Sequence, residues 1–116
     1  VSAFKDPDIE ISAQEADELL RNGDAILVDV REPHEWEAGR IAGARHVELE
    51  RLASQADSIP MDKRVIFQCR LGVRSAMATK AFRASGYDAW SMAGGIVAWH
   101  EAGLPLEPDD GHVAEH

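Results

Sequence analysis

The chain has 116 residues, 45% of them apolar and 28% charged, with a formal net charge of −9. That length suits one domain burying roughly two-thirds of its unfolded surface, so no disulfide or metal clip is needed for folding. The acidic balance argues against nucleic acid and anionic membrane as partners, no apolar run approaches the ~20 residues of a membrane span, and one cysteine excludes an intrachain disulfide, a CxxC redox pair and a multi-cysteine zinc site.

Residues 1–8 lack periodicity and read as a leader. Ile9 and Ile11 flank Glu10 as a short strand. Ser12 and Glu15 have the spacing of a capping box, Ala16, Leu19 and Leu20 give a helical apolar face, and Gly23 is the stop. Ala25 to Val30 is nearly continuous apolar sequence, as expected of a strand covered on both faces of a parallel sheet. Pro33 forces a new start, with a helical turn over His34 to Ala38 carrying Trp36 as a core residue. A glycine-containing loop leads to a short strand at Arg45 to Val47, and Glu48 to Ala56 reads as a polar surface helix.

After Pro60, Arg64 to Gln68 is the next buried strand, ending at Cys69. A helix is predicted over Ala76 to Ser85 with Ala78, Ala81, Phe82 and Ser85 on its inner face. Ala89 to Ser91 is a further strand, and Ile96 to Ala102 a helix with Trp99 inward. From Glu107 the chain reads as an acidic, flexible tail holding His112 and His116. Alternation of strands and helices predicts an α/β domain over residues 9–106. A lone cysteine and no signal-peptide pattern make a cytoplasmic setting the expectation, although a signal removed before Val1 would leave no trace.

Charge is unevenly spread. Residues 63–87 contain six basic side chains and no acidic one, and carry +6, whereas the remainder carries −15. Cys69 lies inside this basic block, which suits a small anionic substrate or an acidic partner surface. In open α/β sheets ligands bind beyond the carboxyl ends of the strands. A thiol placed there and followed by a helix faces unpaired N–H groups and the positive end of the helix dipole, which favour an anionic sulfur. Gly72 lets several backbone N–H groups converge as an anion nest, and Arg70 and Arg74 add charge. Arg74 is the foremost candidate anion binder, and Asp29 with Arg31 at the end of the neighbouring strand would orient the loop or form an ordinary ion pair. His46 reads as a structural hydrogen-bonding residue. No metal and no cofactor is called for.

Cys69-Arg70-Leu71-Gly72-Val73-Arg74-Ser75 resembles the active-site loop of the rhodanese family of sulfurtransferases. Asp29 to Val47 resembles the family's amino-terminal signature and Met92 to Pro105 its carboxyl-terminal one. The resemblance implies a five-stranded parallel sheet with helices on both faces. It also implies a persulfide on Cys69, cradled by residues 70–75, that takes sulfur from thiosulfate or another persulfide and passes it to cyanide or a thiol. Leu71 departs from the pattern, since members that use thiosulfate efficiently carry a cation or a small polar residue there. That departure leaves room for a more apolar donor or a protein partner, and for an alternative role as a persulfide carrier or sensor. Related phosphatases need Cys-x5-Arg, which would put arginine at position 75, where this chain has serine.

Overall fold

The computed structural model describes residues 6–115. Val1 to Lys5 of the expected leader, and His116, lie outside the described residues. Five parallel strands form one sheet: β1 (Glu10–Ile11), β2 (Ala25–Asp29), β3 (Arg45–His46), β4 (Arg64–Gln68) and β5 (Ala89–Met92), in the spatial order β1-β5-β4-β2-β3. The expected sheet is therefore present. β4 is central, paired over its whole length with β2 and with β5 on its other side, while the two-residue strands β1 and β3 close the edges.

Alternation along β4 divides the core. Val65, Phe67 and Cys69 face one side with Val28 and Val30, covered by α4 (Val73–Ala84) and by α3 (Leu52–Gln55). Ile66 faces the other with Leu27 and Met92, covered by α1 (Ala13–Arg21) and α5 (Gly95–Glu101). A strand buried on both faces has no polar positions to spare, which is why β2 and β4 read as continuous apolar runs. Among the described residues no helix is long and apolar enough to cross a membrane.

The structure differs from the sequence reading at five places. α4 starts at Val73, three residues before the predicted Ala76, because Gly72 turns the chain in the left-handed region at φ +106° and its carbonyl accepts from the Ala76 N–H. Its buried face is Ser75, Ala78, Thr79 and Phe82. The predicted period is right but its phase is not, so Ala81 and Ser85 line an open groove beside α3. The segment after Glu48 is broken into a 3-10 turn at Leu49–Arg51, α3, and a second 3-10 turn at Ala56–Ser58. There the Ser54 and Ser58 hydroxyls bond back to the carbonyls of Arg51 and Gln55, a local alternative to helical pairing. Trp36, expected in the core, is only half-buried, stacked on His46 with Arg40 over its ring.

The fifth difference is the tail. Glu107 exchanges both backbone hydrogen bonds with Arg40, His112 N–H donates to the Ala38 carbonyl, and Val113 packs against the α1–α5 core. An apolar residue and paired amides hold a segment that composition alone marks as free.

Candidate active site

Cys69 is the first residue beyond the carboxyl end of the central strand, and its side chain is 1% exposed. The Gly72 N–H donates to Sγ at 3.1 Å and the Ser75 N–H at 3.4 Å. The Ser75 hydroxyl lies 3.5 Å from Sγ and 2.8 Å from the Ser91 hydroxyl of β5, and both serines are fully buried. The first turn of α4 thus wraps the sulfur, offering N–H groups that have no helical acceptor of their own.

α5 holds the loop from beneath. The N–H of Ile96 donates to the Cys69 carbonyl at 2.8 Å and that of Val97 to the Arg70 carbonyl at 3.2 Å. In a trans peptide C=O and N–H point in opposite directions, so tying these two carbonyls to α5 turns the N–H groups of Arg70 and Leu71 away from it. Gly95 makes the approach feasible, because a Cβ there would collide with the carbonyl oxygens of Cys69 and Arg70.

Cys69, Arg70, Leu71, Val73 and Arg74 line a pocket of about 230 Å³. Leu71 and Val73 form an apolar rim, 46% and 60% exposed. Arg70 carries a buried Nε that no described group accepts from. Arg74 is differently placed. Both its terminal nitrogens donate to Glu35, Nη1 to Oε1 at 2.8 Å and Nη2 to Oε2 at 3.0 Å. Glu35 is fully buried on α2 (Pro33–Ala38) and also accepts from the Glu32 N–H. Burial pushes the Glu35 carboxyl up, but the Arg74 hydrogen bonds, the Glu32 amide and the charges of Arg74 and Arg31 outweigh it and hold it below the ordinary value. Arg74 is raised, chiefly by its bonds to Glu35.

Asp29 and Arg31 are not in the pocket. They form a fully buried ion pair, with Arg31 Nη2 2.7 Å from Asp29 and 2.8 Å from the Gly39 carbonyl. The Arg31 carbonyl accepts from His46 Nε2 at 2.7 Å, so His46 braces the backbone. The pair fixes the two ends of α2 and, through it, the Glu35 carboxylate. Of the sequence-named residues, 69, 70, 71, 73 and 74 meet in the pocket, Gly72 and Ser75 hold the sulfur from its inner side, and 29 and 31 act at a distance.

Sequence reasoning missed Glu35 and Ser91. Glu35 follows Glu32-Pro33 at the spacing of a helix-start carboxylate, but its partner lies 39 positions away. Ser91 is the one hydroxyl in the apolar run of β5. Among the described residues Glu32, His34 and Glu35 bring ligand atoms within 4.8 Å of one another, yet Glu35 is already engaged by Arg74.

Residues 12–102 match the family model of the rhodanese-like domain. A sulfurtransferase of Allochromatium vinosum is 34% identical over 94 residues, covering 80% of this chain and 88% of that protein. The thiosulfate sulfurtransferase GlpE of Actinobacillus succinogenes is 31% identical over 99 residues, covering 84% and 89%. A rhodanese-related protein from Thermoplasma volcanium superposes with a TM-score of 0.79 at 30% identity, over 84% of this chain and 96% of that one.

Proposed function

The chain belongs to the rhodanese-like domain family, and from that premise we propose that it is a sulfurtransferase working through a persulfide on Cys69. The observation that carries this reading is the sulfur itself, buried at the end of the central strand with the amides of Gly72 and Ser75 aimed at it. Preorganised N–H groups in a site shielded from water stabilise a terminal sulfur anion without reorganising when it forms.

In the first half-reaction the Cys69 thiolate attacks the outer sulfur of a donor such as thiosulfate. A new S–S bond forms on Sγ, the donor's S–S bond breaks, and its electron pair leaves on sulfite. In the second, cyanide attacks the terminal sulfur of the Cys69 persulfide, the pair returns to Sγ, and thiocyanate departs. A thiol acceptor follows the same course. No second cysteine is needed, because the acceptor comes from outside, and the two steps predict ping-pong kinetics.

Arg70 supplies the pocket's uncompensated cation, the rim of Leu71 and Val73 meets the body of the donor, and the pair of Asp29 and Arg31 supports the frame. The buried, inward side chain at position 75 weighs against phosphate ester hydrolysis, which in related loops relies on an arginine there. Purified protein with thiosulfate and cyanide is expected to release thiocyanate with parallel double-reciprocal lines, and Cys69→Ser to release none above background. Equal rates from the two proteins would sink the reading.

A further inference from the structure

Two cations line the Cys69 pocket, and among the described residues only one of them, Arg74, has a carboxylate partner. Arg74 is part of the lining, yet both its terminal nitrogens are on the Glu35 carboxylate, at 2.8 and 3.0 Å. Glu35 is fully buried, so water does little to dilute that compensation. The remaining cation is Arg70, whose buried Nε has no hydrogen-bond partner among the described residues. Around it the lining is apolar. Leu71 and Val73 frame the mouth, and Met77, one turn further along α4 and 59% exposed, continues the apolar ridge away from it.

A pocket with one free cation and an apolar rim matches a donor of low charge. Thiosulfate brings two negative charges to a sulfur that must itself be anionic to attack, in a molecule whose net charge is −9. An organic persulfide brings no charge in the protonated form, R–S–SH, whose outer sulfur is open to attack, and only one as its anion. The Cys69 thiolate takes its outer sulfur, the S–S bond breaks, and the leaving thiolate RS⁻ picks up the proton. Cys69–S–S⁻ and RSH result, with one negative charge throughout for Arg70 and the loop amides to hold.

We propose that Glu35 is a positioning residue that sets donor specificity: by clamping Arg74 it removes a cation from the pocket and tunes Cys69 toward persulfides of small apolar thiols and away from thiosulfate. The inference rests on the sulfurtransferase reading and deepens it. Glu35 touches neither donor nor sulfur; it acts through Arg74.

The test compares thiosulfate with n-propyl hydropersulfide as donors to a common cyanide acceptor. For the native chain, kcat/KM is expected to favour the persulfide. Glu35→Gln keeps the shape of the side chain and releases the charge of Arg74. Its thiosulfate KM should fall about tenfold, the order expected for one added charge near a dianion, while kcat changes little and persulfide KM does not fall. Glu35→Asp, which keeps the negative charge, should retain the native preference. The gain in Glu35→Gln should shrink at high salt, a response that a purely structural role for Glu35 would not give. Leu71→Lys serves if Glu35→Gln does not fold, since position 71 is exposed, and it too should lower thiosulfate KM. An unchanged thiosulfate KM in folded Glu35→Gln, or in Leu71→Lys where that variant stands in, overturns the inference alone. A native chain inert to both donors overturns the sulfurtransferase reading and this inference with it.

Discussion

Ser75 shows how a single side chain serves two structures at once. Its N–H and hydroxyl both face Cys69, and the same hydroxyl bonds Ser91 across to β5. Ser75→Ala keeps the amide but leaves the buried Ser91 hydroxyl without this partner, at a cost of about 1–3 kcal/mol. Turnover should fall roughly tenfold, less than for a principal oxyanion donor because the hydroxyl–sulfur contact is long; kcat measured beside a denaturant melt separates the two effects. The sequence made Cys69, Gly72 and the arginines legible, since a thiol, a glycine and two cations at a strand–helix junction have few joint explanations. It did not show that Arg74 is held by Glu35. Such a pairing depends on a contact across 39 positions, and no local periodicity encodes that.

At the level of elements the site is the meeting of three: the end of β4, the first turn of α4 and the first turn of α5. Burial on both faces made β4 readable from its apolar run, and Gly86 marked the end of α4. The start of α4 was less readable because no side chain caps it. The device is instead the left-handed turn at Gly72, which places Arg74 and Ser75 on the helix rather than in a loop. α5 is the support, and Gly95 is where it can be tested. Its φ is +57°, and an added Cβ would meet the carbonyls of Cys69 and Arg70. Gly95→Ala should displace the loop and lower kcat by about 10²-fold, the scale reported by small misplacements of reacting groups. A variant with native kcat would show that α5 does not hold the loop amides in register.

The whole molecule ties the two faces of the sheet to one polar seam. The buried pair Asp29–Arg31 braces α2, α2 delivers Glu35 to Arg74, and the carboxyl-terminal segment lies along Arg40 and Ala38 at the end of α2. The alternation of strand and helix patterns foretold the α/β class, whereas composition marked that segment as a free tail, because the backbone pairs that hold it leave no trace in side-chain polarity. The seam should be acid-labile. Glu35 titrates below its ordinary 4.5 in the folded chain, so the stability it contributes is complete above that value and is lost as pH falls through the depressed one. Melting temperature should therefore drop on acidification below pH 4.5, and Glu35→Gln should flatten that drop; identical slopes would remove Glu35 from the account. If sulfur rides on Cys69 as proposed, the intact mass of the protein registers it. After incubation with thiosulfate or an alkyl persulfide and removal of the donor, the chain should be heavier by one sulfur atom. Cyanide should erase the increment, and Cys69→Ser should never acquire it. A native chain that gains no sulfur from either donor, or an increment that persists in Cys69→Ser, would contradict that proposal.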